Sequence, residues 1–236
     1  MKFAFLIEPP FNFRDETGTV IGCDVELARR VFSELGVDAF EPVETAFAEL
    51  LPGLAAGRWR MTTGLFATED RKEVAAFSRP IWLLPDGLLV AKGNPLALEG
   101  YRSIERNADC VLAVVRDQFQ HRSAVEFGIP ADQILVFETY GEAADAVQDG
   151  RAGTYASVAR AHSGFVNRNP DLPLEVVTIP LSEKLPAFGS FAFAKDDDAF
   201  RLAVDDVLVR YLGSTAHREM MSAYGFSAPE IDLLVA

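Results

Sequence analysis

The sequence predicts an α/β protein built as two similar lobes, and three observations carry that prediction. Short apolar runs alternate with stretches whose apolar residues recur at helical spacing. The alternation breaks at Lys92-Gly93-Asn94-Pro95 and then starts again. The chain has 236 residues, 49% of them hydrophobic, which suffices for two lobes of roughly 100 residues each.

Residues 3–7 are a short apolar run ended by Pro9 and Pro10, which reads as a buried strand emptying into a loop. After a turn at residues 15–18, Asp24 stands where it can cap a helix whose Leu27, Ala28, Val31 and Leu35 share one face before Gly36 stops it. Residues 40–43 read as a strand, 47–56 as a helix ended by Gly57, and 61–63 as a strand whose turn leads to a helix capped by Thr68. Past residues 74–77, Ser78-Arg79-Pro80 leads to another apolar stretch at 87–91. The second series has strands at 111–115, 134–137 and 154–156, separated by helical patterns near 118–127 and 141–149, and closes near Ile179. A strand at 190–194 and two helices, roughly 197–211 and 215–224, follow without calling for a third domain. No low-complexity tract or repeat of about 20 to 50 residues is present, which removes solenoids and propellers.

Composition narrows the function classes. A formal charge of −13 with no Lys/Arg-rich run repels phosphate backbones and anionic lipid, so nucleic acid is not an expected partner. Cys23 and Cys110 are far apart, outside any CxxC spacing and without a nearby His, which predicts two reduced structural cysteines and no metal site. No cofactor is called for either. The opening MKFAFLIEPPF has one lysine and is interrupted by prolines before any small-residue cleavage site, so it reads as a first strand rather than a secretory signal. Two readings stay open: the mature part of an exported protein, or a chain that remains inside the cell. No segment reaches the ~18 consecutive apolar residues of a membrane span.

Four stretches carry a resemblance. PPFNFRDETGTVIGCDVELARRV, FAELLPGLAAGRWRMTTGLFATEDRKEVAAFS, GEAADAVQDGR and FGSFAFAKDDDAF, in that order, resemble the family 3 extracellular solute-binding proteins, the polar amino-acid binders that serve ABC importers. The resemblance implies a type II periplasmic-binding-protein fold, with residues 1–89 plus 187–236 as the first lobe, 90–186 as the second, and a two-crossing hinge between them. It also implies a monomer in the periplasm that binds a small carboxylate-bearing or amino-acid-like ligand in the interlobe cleft and presents it to the permease subunits of an ABC transporter.

The cleft chemistry follows from residues 63–71. Thr63, Gly64, Leu65 and Phe66 form a strand end and turn, and Thr68 opens a helix, so backbone amides and a helix dipole converge where an anion can sit. Arg71 in the first helical turn adds a guanidinium that holds a carboxylate through two hydrogen bonds, each worth roughly 1.5 to 3 kcal/mol. On its own an arginine beside Glu69 and Asp70 is a surface residue; the resemblance gives it the ligand's α-carboxylate. Phe47, by periodicity a core residue, stands where the family has an aromatic wall. Phe66 replaces a Thr common in relatives, and Glu8, a loop carboxylate, stands where relatives often carry an aromatic. In the second lobe Arg116 and Gln118 lie where relatives have a Gly-Thr-rich helix start, so their side chains are expected to reach in instead. The aspartate by which many relatives bind the α-ammonium is missing, and Val158 or, by a small shift, Ser157 stands there. An unpaired ammonium in a closed cleft costs several kcal/mol. Either Glu8 supplies the charge, or the ligand has no primary amine. Two other classes remain: a lyase similar to the cyclohexadienyl dehydratases, with Glu8 as acid, and a cytoplasmic ligand sensor. His121, His162 and His217 are scattered, and no nucleophile motif is present. No catalytic residue is therefore assigned.

Overall fold

The alternation appears as two five-stranded sheets in a computed structural model that describes residues 1–37 and 39–235. The chain enters through β1 (Lys2–Phe5), forms a ribbon from β2 (Phe13–Arg14) and β3 (Val20–Ile21), and continues as α1 (Cys23–Glu34) and β4 (Glu41–Glu44). A 3-10 turn at Phe47–Glu49 precedes α2 (Leu50–Ala55), β5 (Met61–Phe66), α3 (Glu69–Val74) and β6 (Ala75–Leu84). Then come β7 (Asp86–Ala91), α4 (Tyr101–Glu105), β8 (Leu112–Val115), α5 (Phe119–Glu126), β9 (Ile134–Phe137) and α6 (Tyr140–Gln148). β10 (Thr154–Val158), α7 (Ala159–Arg168), β11 (Leu174–Thr178), β12 (Ala187–Ala194), α8 (Asp198–Tyr211), α9 (Thr215–Ala223) and α10 (Ala228–Val235) complete the order.

Two compact units result: Met1–Leu83 with Ala187–Ala236, and Leu84–Pro186. In the first, the sheet order is β4-β1-β5-β12-β6, with β1 parallel to β4 and β5 and with β12 antiparallel to β5. Because β1 is buried on both faces it reads as a continuous apolar run. Phe3 meets Phe191 edge to face at 6.1 Å, and Phe32, Phe40, Phe193 and Phe200 extend that aromatic core. In the second unit the order is β11-β7-β10-β8-β9; β8 is parallel to β9 and β10, and β7 is antiparallel to β10 and β11. Its core centres on Leu88, Val90, Tyr101, Leu112, Val114 and Ile179.

Two local expectations need correction. Asp24 does not cap α1. Gly22 holds the N-cap position at φ 132, and the first helical amides donate to loop carbonyls instead, Cys23 to Pro10 and Asp24 to Phe11, both at 3.1 Å. A Cβ at Gly22 would stand 2.0 Å from the Phe11 oxygen, so only glycine permits this approach. The Asp24 side chain is thereby released to turn inward. Second, β5 does not end at Thr63: pairing with β12, Leu65 opposite Ser190 and Phe66 opposite Gly189, extends it through Gly64, which keeps a φ of 79 inside the strand. The open turn of bare amides expected at Gly64, Leu65 and Phe66 is therefore strand, and the turn falls at residues 67–68. The strand β6 runs straight through Pro80, which an outermost strand tolerates because one of its sides has no ladder to lose. The strand β11 and the helices α7 and α10 carried no signal strong enough to be read. No described helix is long and apolar enough to cross a membrane.

Candidate functional site

The side chains of the first unit that the sequence singled out are linked by a chain of contacts. Arg71, the third residue of α3, donates from Nη1 to the Phe66 carbonyl at 3.1 Å and lies with Cζ 5.2 Å from the centroid of the Phe47 ring. A guanidinium carries five donors in one plane, so these two contacts fix the direction of that plane. Phe47 and Phe66 are both buried. Thr68 holds the N-cap position of α3, but its hydroxyl makes no capping hydrogen bond.

Phe66 meets the Trp82 indole at 5.6 Å, nearly perpendicular, and on the other side Trp82 lies 5.2 Å from Phe11. The indole rests on Gly189, where a Cβ would come within 2.0 Å of a ring carbon. Phe11 belongs to a tight turn that starts at Glu8: the Glu8 carbonyl accepts from the amides of Phe11 at 3.0 Å and Asn12 at 3.1 Å, and the Glu8 amide donates to Asn12 at 2.8 Å. Glu8 itself is 6% exposed, so it is not the solvated loop charge that its position allows. The Pro9-Pro10 peptide inside this turn is cis.

Beneath the rings lies a buried carboxylate. Asp24 accepts from the Thr63 hydroxyl at 2.6 Å and from the Trp82 indole N–H at 3.1 Å. Burial raises its pKa from 3.8 to about 6, against the opposing hydrogen bonds from Thr63, Cys23 and Trp82. Thr63 is wholly buried and bonds to Asp24, while Leu65 is a core side chain with no polar part to offer.

The second unit presents a different surface at the corresponding strand ends. Arg116 is exposed, and its Nε pairs with Glu138 at 2.7 Å, which raises its pKa and directs the guanidinium along the surface. Asp117 adopts φ 61, a left-handed conformation that is uncommon away from glycine and collects at functional turns. Gln118 follows as the N-cap of α5, 5% exposed, and its buried Oε1 has no hydrogen-bond partner among the described residues. Ser157 is buried in β10, and its amide donates to His162 Nε2 at 3.1 Å. With Nε2 accepting, the His162 proton sits on Nδ1 and faces the Tyr140 hydroxyl at 2.8 Å. Burial drives the His162 pKa from 6.5 to about 3, so the ring is neutral. Val158 next to Ser157 is buried as well, and neither offers a charge.

Phe47, Phe66 and Arg71 are thus brought together directly, Thr63 joins them through Asp24 and Trp82, and Glu8 joins them through Phe11. Arg116 is engaged elsewhere. Sequence reasoning missed Phe11 and Trp82 and gave Asp24 a different task. Phe11 and Asp24 lie inside the first resembling stretch and were open to detection; Trp82 had only its aromatic character within an apolar strand.

Comparison with known proteins places the chain in a family. The chain is 27% identical over 235 residues to "Probable amino-acid ABC transporter periplasmic-binding protein y4tE" of Sinorhizobium fredii, covering 96% of this chain and 77% of the relative. The crystal structure of EhuB in complex with hydroxyectoine superposes with a TM-score of 0.89 at 30% identity, covering 98% of this chain and 90% of that one. The arginine-, lysine-, histidine-binding protein ArtJ of Geobacillus stearothermophilus shares the fold, with a TM-score of 0.87 at 21% identity over 100% of this chain and 98% of its own. A family model describing bacterial extracellular solute-binding proteins, family 3, matches residues 2–226, and to that family the chain belongs.

Proposed function

We propose that this solute-binding protein captures a small zwitterion for an ABC importer, taking the ligand's carboxylate at Arg71 and its cation between Glu8 and the rings of Phe11, Phe47 and Phe66. The observation that carries this reading is the continuous series in the first unit: buried Glu8, its turn to Phe11, then Trp82, Phe66, Arg71 and Phe47. A primary ammonium is a compact, strongly hydrated charge that wants a carboxylate, and Ser157 and Val158 supply none. A delocalised cation is more weakly hydrated and gains from aromatic faces, by about 0.5 to 2 kcal/mol per ring. Hydroxyectoine, the ligand in the EhuB complex, is a molecule of this kind, with a ring amidinium and a carboxylate.

The two units act as lobes that hinge where the chain passes between them. The ligand docks on the first, and the second closes over it, bringing Gln118 Oε1 and the neutral Ser157 strand end to the ligand's remaining polar groups. Closure is stabilised because ligand binds that state better than the open one, and the permease subunits read the closed form. The protein works as a monomer outside the cytoplasmic membrane and releases its ligand unchanged.

Calorimetry with hydroxyectoine, arginine and glutamine tests the ligand class. Hydroxyectoine is expected to bind most tightly and to be recovered intact. Tighter binding of an ordinary α-amino acid that disappears in Glu8→Gln would return the site to the amino-acid binders, with Glu8 as the ammonium's partner. Small-angle scattering should show compaction at saturating ligand, and an unchanged radius would remove the hinge mechanism.

A further inference from the structure

Three elements of the first unit converge on Asp24: it starts in the first turn of α1 and receives Thr63 from β5 and Trp82 from β6. The groups facing it are the Thr63 hydroxyl at 2.6 Å, the indole N–H at 3.1 Å and the Cys23 thiol at 3.5 Å. Of these only Cys23 titrates, and burial beside Asp24 raises its pKa so that it stays a neutral thiol. No cation is among these partners. A buried carboxylate without a cation is a poor stabiliser. What a carboxylate does that an amide or an apolar group cannot is accept from two donors on two strands at once, one on each oxygen. The donors fixed in this way are consequential. The indole lies between Phe11 at 5.2 Å and Phe66 at 5.6 Å, seated on Gly189, and Phe66 offers its carbonyl to Arg71 at 3.1 Å.

We infer that Asp24 is a positioning residue of the ligand site, which through Thr63 and Trp82 sets the aromatic floor from which Phe11 and Phe66 stand. The inference rests on the reading of Phe11 and Phe66 as ligand-contacting walls. Its consequence is a proton-sensitive affinity. An ionised Asp24 accepts both hydrogen bonds. A protonated one turns one oxygen into a donor, and while the Thr63 hydroxyl can reverse to accept from it, the indole N–H cannot. The indole therefore either loses its acceptor or keeps a neutral carbonyl oxygen in place of a carboxylate, and in both cases its anchor weakens as pH falls through the range near 6.

The test uses the two tryptophans as probe and control. Trp59 donates its indole N–H to the neutral Leu50 carbonyl at 3.0 Å, so its resonance should not respond. In nitrogen-15 NMR spectra of the intact protein, the Trp82 indole resonance is expected to move with a midpoint near pH 6 and to be flat in Asp24→Asn. Hydroxyectoine affinity measured over the same range should weaken about fivefold from pH 7.5 to 5 in the wild type. By reciprocity, saturating hydroxyectoine should lower the indole midpoint by the same factor. Asp24→Asn should bind roughly tenfold more weakly at pH 7.5 and show no step. A wild-type indole that does not titrate, or one that titrates while the affinity stays constant, would overturn the inference, and neither measurement depends on the variant folding. If hydroxyectoine fails to bind at any pH, the ligand assignment falls separately. The ring resonances of Phe11 and Phe66 then decide: movement in step with Trp82 supports positioning, and silence ends it.

Discussion

At the scale of single residues, the proposed function assigns the ligand's carboxylate to Arg71 and its cation to Glu8 and the rings beside it. Arg71→Ala removes both charge and planar fork, while Arg71→Lys keeps the charge alone. The expected loss of hydroxyectoine affinity is about 100-fold for the first and about 10-fold for the second, read by calorimetry; unchanged affinity in Arg71→Ala would move the site elsewhere. Two buried titrating groups shape stability in opposite directions. The unfolded chain takes up a proton at His162 near 6.5 and the folded chain only near 3, so stability present above 6.5 falls by about 1.4 kcal/mol for each pH unit below it. Asp24 is shifted upward, from 3.8 to about 6, so its contribution is complete below 3.8 and is lost as pH rises through about 6. Urea unfolding at pH 6 and 4.5 should therefore show a steeper acid loss in Asp24→Asn than in the wild type, and a shallower one in His162→Gln. Equal slopes in all three would contradict these assignments. Arg71, Phe47 and Phe66 were legible in the sequence because they belong to contiguous stretches whose order and spacing are specific. Asp24 was not, because a side chain that can cap a helix and one that turns into the core look alike until the loop carbonyls of Pro10 and Phe11 are placed.

At the scale of elements, strands were legible where an apolar run ends on a clear break, as in β9, and obscured where tertiary pairing prevails over local punctuation. Gly64 and Pro80 both signal interruption, and both lie inside strands, one paired to β12 and one on the sheet's outer edge. Helix α7 went unread because Phe165 and Val166 are its only large apolar side chains and no break separates it from β10. The turn before α4 holds Ala97 at φ 50, a conformation costing an L-residue roughly 1 kcal/mol, while Asn94 fixes the turn by accepting from the Leu98 amide at 2.9 Å. Ala97→Gly should relieve the strain and raise the thermal midpoint by a few degrees, seen by calorimetric melting; a lowered midpoint would mean that the unfolded chain's added freedom outweighs it.

At the scale of the whole molecule, the chain passes between units after Leu83 and after Pro186, and the second unit holds a buried ion pair close to both points. Asp86 accepts from Lys184, from the Tyr101 hydroxyl at 2.7 Å and from Gln120 at 2.8 Å, and Lys184 also donates to Ser123 at 2.6 Å. Burial lowers the Lys184 pKa, and Asp86 works against that shift. Lys184→Met leaves a buried carboxylate without its cation and should cost about 3 to 5 kcal/mol in urea unfolding, with much of it recovered when Asp86→Asn is added; additive losses would show that the two are not coupled. The two-lobed plan was legible in the sequence because the α/β rhythm starts twice. This pair was not, since its members stand 98 positions apart and no local pattern joins them. The cysteines close the case in another way. Each unit owns one, Cys23 in the first and Cys110 in the second, both buried, unpaired and raised in pKa, Cys110 to about 11. A thiol reagent therefore reaches neither in the native protein, and in mild denaturant the order in which the two are labelled becomes a clock that times the opening of each half separately.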